Sequence, residues 1–243
     1  MVAGSNPVAP TIYVAMTQYI NKYGVIFPAY NVEEHLGKVL EDTSGFIPRE
    51  DILVVDDGSS DGTFDVAKSA QVVLIRHDVN KGKGEALKTG FSYFIGREDI
   101  EAVFTIDADG QHDPSEIPSF IEMYETEGLD IVIGSRMNKT EGMPLVRFLT
   151  NKVTSSIISL RAGRRIEDSQ SGYRLIKTEL LADMQLAASH YDLESEILIR
   201  AGLNGAKIGS VPIKTIYGDE HSKINPLRDT ARFLMLVFRS FFW

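Results

Sequence analysis

Between Ala102 and Gln111 the chain reads AVFTIDADGQ, a β-branched and aromatic run that stops at two aspartates one residue apart. An apolar run ending in Asp107-Ala108-Asp109 reads as a buried strand delivering two carboxylates to the carboxyl edge of a sheet. Hard oxygen ligands suit Mg²⁺ or Mn²⁺, which keep room in their shell for substrate phosphate. A divalent cation and a diphosphate are therefore the chemistry such an edge offers. The same three residues also occur in solvated loops, so the elements around them carry the weight.

Two earlier apolar runs end in the same way. Gly24–Pro28 leads into Ala29-Tyr30-Asn31, and Asp51–Val55 leads into Asp56-Asp57-Gly58-Ser59-Ser60-Asp61-Gly62. Each precedes a segment of helical spacing. Leu36, Val39 and Leu40 recur on one face of Glu33–Asp42, and a Ser/Asp/Gly turn caps the start of Thr63–Ala70. With Val72–Ile75, Gly84–Phe94 and Val103–Ile106 added, strand and helix alternate. The expectation is an α/β domain with a mainly parallel, doubly wound sheet and flanking helices. Ligands of such sheets bind beyond the carboxyl ends of the strands. Tyr30, Asp56, Asp57, Asp107 and Asp109 would all lie there.

With 243 residues and 43% hydrophobic content, the chain can bury one sizeable core. A formal charge of −9 argues against a general nucleic-acid binder, and the absence of cysteine removes disulfides, thiolate zinc sites and cysteine nucleophiles. The five histidines show no helical zinc spacing. No signal peptide is legible, and no apolar run approaches the roughly 18 residues that span a bilayer. Residues 1–22 read as an irregular leader, 23–225 as the α/β domain and 226–243 as an amphipathic aromatic and basic C-terminal helix.

Asn80-Lys81-Gly82-Lys83-Gly84 is a glycine-rich loop before a helix, a place where phosphate is often cradled. It lacks Walker A spacing. Lys81 or Lys83 would meet a phosphate held there, and Lys83 is the residue carried forward. Guanidinium groups suit bidentate phosphate recognition, and Arg136, Arg147 and Arg174 are the arginines considered for it. Between Leu145 and Arg165 stand Arg147, Lys152, Arg161, Arg164 and Arg165 with no acidic residue, interleaved with apolar side chains. That stretch reads as a basic amphipathic helix suited to a membrane surface, or as a core-packing helix with a solvated face. The C-terminal segment mixes Arg228, Arg232 and Arg239 with phenylalanines and Trp243. An interfacial helix, a homodimer contact and the start of a longer membrane segment are its three readings.

Taken together, Pro28-Ala29-Tyr30-Asn31, Val54-Val55-Asp56-Asp57-Gly58-Ser59, Asn80–Gly84, Asp107–Gln111, Gly134-Ser135-Arg136 and Ser171-Gly172-Tyr173-Arg174 resemble, in order, the motifs of glycosyltransferase family 2. This family comprises inverting nucleotide-sugar transferases of the GT-A type. The nearest resemblance is to the dolichyl- and polyprenyl-phosphate sugar transferases. It implies a nucleotide-diphosphate-sugar donor of the GDP-mannose or UDP-glucose type, Mg²⁺ or Mn²⁺, a polyprenyl-phosphate acceptor met by Arg136, Arg147 and Arg174, and a peripheral position at the cytoplasmic membrane face. It further implies that Pro28, Ala29, Tyr30, Asn31, Glu33, Val55, Asp56, Asp57, Lys83, Asp107, Ala108, Asp109 and Lys223 line the donor. Tyr30 would pack on the base, and Asp57 or Asp56 would accept a hydrogen bond from base or ribose. Asp109 and Gln111 would hold the metal, with Asp107 on donor sugar or ribose. Asp107, Asp109, Arg136 and Asp168 are the implied catalytic group. Asp168 stands where the family commonly places an acceptor-side acid. It would act as base toward a glycan hydroxyl, or orient an arginine if the acceptor is a phosphate. A protein that binds sugar nucleotide without turnover is the non-enzyme alternative.

Overall fold

The computed structural model describes residues 21–137, 143–214 and 226–243. Seven strands form one sheet: β1 (Tyr23–Ala29), β2 (Ile52–Asp56), β3 (Val73–Arg76), β4 (Ala102–Thr105), β5 (Ile131–Ser135), β6 (Arg174–Lys177) and β7 (Ile208–Pro212), in the spatial order β3-β2-β1-β4-β6-β5-β7. Pairings are parallel except that β6 runs antiparallel to both β4 and β5. The helices are α1 (Glu33–Ser44), α2 (Thr63–Ser69), α3 (Lys83–Ile95), α4 (Ile117–Glu127), α5 (Leu145–Ala162), α6 (Thr178–Ala182), α7 (Asp192–Leu203) and α8 (Pro226–Ser240). The expected α/β architecture is present, with β6 turning the parallel sheet into a mixed one.

Alternation along the strands divides the core between the two sheet faces, because successive side chains point to opposite sides. Ile26, Leu53, Val55 and Val103 pack beneath α3 and α7 residues such as Phe91, Phe94, Leu193 and Ile197. Val25, Phe27, Val54 and Phe104 pack with Leu36, Leu40, Phe120 and Tyr173 on the other face. A sheet covered on both faces explains why the strands read as continuous apolar runs. After β3 the chain returns to the opposite side of β1 as β4. That reversal opens a crevice at the carboxyl ends of β1, β2 and β4, where α/β sheets bind ligands.

On α5 the buried positions are Asn151, Ser155, Ile158 and Ala162, while Leu145, Val146, Leu149, Val153 and Leu160 are exposed. The basic face expected there is only partly free. Arg161 donates to the Ser240 carbonyl and lies 5.0 Å from the Phe241 ring centroid, and Arg164 bonds the carbonyls of Gly205 and Ala206. Helix α8 packs on α7 through Leu236, Phe233 and Val237, and leaves Leu234, Met235, Phe238, Phe241 and Phe242 exposed.

Candidate active site

Strand β4 carries Asp107 to the crevice. The approach is crowded, because a Cβ on Gly172 would sit 2.3 Å from Asp107 Oδ2, so only glycine fits beside the carboxylate. Thr105 Oγ1 donates to the Gly172 carbonyl at 2.9 Å and fixes that passing strand. Gly172→Ala should displace Asp107 and lower turnover by at least about tenfold, since a misplacement near 1 Å costs on the order of a hundredfold. Steady-state rates at unchanged melting temperature check it.

Asp107 meets Lys83, the first residue of α3, at 2.5 Å from Oδ1, and His112 Nε2 lies 3.7 Å from Oδ2. Lys83 Nζ also reaches Glu194 Oε1 at 3.2 Å. Burial alone would raise the Asp107 carboxyl, but the Lys83 ammonium overrides it and holds the group well below the usual carboxylate range. Burial likewise works against the lysine charge, and Asp107 with Glu194 more than compensate, raising Lys83 above its ordinary value. Asp109 follows on the same turn, where its Oδ1 accepts the Gln111 N–H at 3.0 Å.

The loops after β1 and β2 are tied to each other. Asn31 Oδ1 accepts the Ser60 N–H at 2.9 Å, Glu33 Oε2 accepts the Gly62 N–H at 2.6 Å, and the Val32 N–H donates to Thr63 Oγ1. Asn31 and Glu33 thus act as a clamp between loops. Tyr30 beside them is 37% exposed. Pro28 is half-buried near the carboxyl end of β1, an interior strand of the sheet. Ala29, Val55 and Ala108 are buried in or against the two cores, so their side chains shape the edge from beneath.

Asp57 requires a correction. Its Oδ1 accepts the Lys81 N–H and pairs with His77 Nδ1 at 2.7 Å, and its Oδ2 accepts the Gly82 N–H at 2.8 Å. A buried carboxylate engaged in this way pins the glycine loop, with both oxygens already bonded to that loop and Oδ1 also to His77. Asp56 is buried too, with Oδ1 on the Ser59 N–H, while its Oδ2 lies 3.1 Å from Arg76 Nε without a hydrogen bond among the described residues. Of the two acids, Asp56 therefore keeps acceptor capacity.

Arg174 is the second correction. It is 1% exposed, and Nε, Nη1 and Nη2 donate to the carbonyls of Ser171, Glu194 and Ser169. Burial lowers its affinity for the proton. It is an internal strut joining the 169–171 loop to α7, closed to a lipid phosphate. For Asp168 the sequence leaves two readings open, a base toward a hydroxyl or a residue that orients an arginine. It is fully buried and accepts from Arg136 Nε at 2.7 Å, Arg136 Nη2 at 2.9 Å, Asn151 Nδ2 at 2.7 Å and the Gln170 N–H at 3.2 Å. Burial would raise its pKa, but the Arg136 hydrogen bonds prevail and depress it. A carboxylate so engaged orients an arginine and is not a free base. Arg147 is exposed on the first turn of α5, outside the group gathered around Asp107, and Lys223 lies outside the described residues.

The model of glycosyl transferase family 2 matches residues 24–184. The chain belongs to that family. Among its relatives is the UDP-N-acetylglucosamine–dolichyl-phosphate N-acetylglucosaminyltransferase of Methanococcus voltae, 35% identical over 79% of this chain and 85% of that one. The polyprenol monophosphomannose synthase of Mycolicibacterium smegmatis is 31% identical over 78% of this chain and 75% of its own length. Glucosyl-3-phosphoglycerate synthase from Mycobacterium tuberculosis, solved with Mn²⁺ and UDP-glucose, shares the fold at a TM-score of 0.68 and 20% identity, covering 96% of this chain and 84% of that one. This protein is accordingly a family 2 glycosyltransferase, and the crevice is its candidate active site.

Among the described residues no three His, Cys, Asp or Glu side chains converge into a metal cage. The turn instead offers Asp107, Asp109 and the Gln111 amide, all oxygen donors, a set that suits Mg²⁺ or Mn²⁺ once diphosphate oxygens complete the shell. Sequence reasoning missed His77, Asn151, Gly172 as a contact of Asp107, and Glu194. Only Gly172 sat inside a motif it had singled out.

Proposed function

We propose that this transferase moves a sugar, with inversion, from a nucleotide-diphosphate donor of the GDP-mannose or UDP-glucose type to a polyprenyl phosphate at the cytoplasmic membrane face. The observation that carries the proposal is the engagement of Asp168. A sugar hydroxyl needs a positioned base to lose its proton, whereas a lipid phosphate is ionised at neutral pH and needs none. With Asp168 committed to Arg136 and Asn151, the phosphate is the acceptor this site suits. Its oxygen attacks the anomeric carbon as the bond to the donor diphosphate breaks, and the electron pair leaves on that diphosphate. Mg²⁺ or Mn²⁺, held by Asp109 and Gln111, would neutralise the leaving charge. Arg136 is aimed by Asp168 to receive the acceptor phosphate, and Lys83 stands ready for the donor side.

Names among the relatives favour the same acceptor class, since they include transferases to dolichyl and polyprenyl phosphate. Among the described residues no helix is long and apolar enough to cross a membrane. The exposed apolar side chains of α5 and α8, with Arg147, Lys152, Arg228 and Arg239 exposed on the same helices, suit contact with an anionic bilayer surface. The test incubates the protein with Mn²⁺ or Mg²⁺, a panel of labelled GDP- and UDP-sugars and a short polyprenyl phosphate. Metal-dependent label in the organic phase is expected. Donor hydrolysis or donor binding without organic-phase label would remove the lipid acceptor.

A further inference from the structure

We infer that Glu194, on the first turn of α7, is a positioning residue that sets donor affinity by holding Lys83. Lys83 Nζ is shared between Asp107 Oδ1 at 2.5 Å and Glu194 Oε1 at 3.2 Å, and the Tyr191 ring centroid lies 5.8 Å away. The Lys83 and Glu194 side chains are only 15% and 10% exposed, so each charge depends on protein partners more than on water. Glu194 is itself anchored, because its carbonyl accepts Arg174 Nη1 at 2.7 Å. The start of α3 is pressed onto the segment before α7. A Cβ on Gly84 would sit 2.4 Å from the Ser189 carbonyl carbon, and the Glu85 N–H donates to the Ser189 carbonyl.

The two acids have different fates when a donor arrives. This step rests on the donor reading above. Asp107 stands at the metal and sugar edge, so donor binding gives it new partners and loosens its hold on Lys83. Glu194 lies behind the lysine on another helix and keeps its partner throughout. A lysine is a compact charge on a flexible stem, and one fixed carboxylate behind it keeps the ammonium at the diphosphate. With Glu194 neutralised, Asp107 is the sole full counter-charge and the pair closes on itself, competing with the donor.

Donor binding and turnover are measured for wild type, E194Q, E194D, K83M and K83M/E194Q, with Mn²⁺ and the nucleotide-sugar panel. E194Q should raise donor Kd and KM by about tenfold, the worth of one charge-assisted hydrogen bond, with kcat within about twofold. E194D should recover part of the loss. In the K83M background E194Q should add nothing, because residues acting as a unit are non-additive. Equal shifts in both backgrounds, or an unchanged donor affinity in E194Q, would overturn the inference. Should E194Q fail to fold, E194D and K83M/E194D carry the same comparison. A wild type that binds no nucleotide-sugar overturns the donor reading itself, before any variant is compared.

Discussion

Alanine at Asp109 is expected to lower sugar transfer by at least about a thousandfold, roughly 4 kcal/mol of transition-state stabilisation, while the fold remains. The argument runs through charge. As the glycosidic bond breaks, a full negative charge builds on the departing diphosphate, and a divalent cation held on the turn by Asp109 and Gln111 would be the strongest counter-charge available to it. Asp109 is half-buried, and the bond its side chain makes to the Gln111 N–H is worth about 1 kcal/mol, so its removal leaves the sheet intact. Asp107 is a different case, because its loss would free Lys83 and Glu194 to pair alone. The checks are steady-state rates across a Mn²⁺ titration and nucleotide-diphosphate binding with and without metal. D109A should bind the nucleotide with no metal enhancement. Near-native turnover with an unaltered Mn²⁺ dependence would remove Asp109 from the metal site.

How far residues alone foretold this arrangement depends on whether the signal was local. Leu36, Val39 and Leu40 recur at helical spacing and are buried on α1, so that helix was legible almost to its ends. The carboxyl ends of β1, β2 and β4, at Ala29, Asp56 and Thr105, were legible to within a residue or so because a buried apolar strand gives way where polar residues begin. The reversal of β6 was not. Arg174–Lys177 has the composition of a strand in either direction, and its antiparallel pairing with β4 and β5 comes from where the 163–173 loop delivers it. Arg174 and Asp57 were misread for one reason: residue type conveys charge but not burial. Arg174 is engaged here by three backbone carbonyls, and Asp57 by two backbone N–H groups and the His77 ring. Glu194 gave no signal because it lies 111 residues from its partner Lys83, on a helix buried along nearly its whole length.

Asp168→Ala should destabilise the protein by about 3–5 kcal/mol, the cost of leaving a buried ionic partner uncompensated. Arg136 would lose both of its guanidinium bonds to the carboxylate, and the buried Asn151 amide its acceptor. Acid should reproduce part of this loss. Asp168 is depressed in the folded state, so its contribution is complete above the unfolded carboxylate pKa of about 3.9 and drains as pH falls through the lower folded value. The difference in denaturation midpoint between wild type and Asp168→Asn should therefore be constant near neutrality and shrink below about pH 4. The Asn variant also separates the two acceptor chemistries. If Asp168 only aims Arg136, the variant raises acceptor KM, spares donor KM and leaves the shape of the pH–rate profile unchanged. If it were a base toward a hydroxyl, kcat would fall by about 10²–10⁴-fold and the limb reporting that base would vanish. A buried carboxylate that accepts from five donor groups is poorly placed to exchange a proton with substrate, and the first outcome is the expected one.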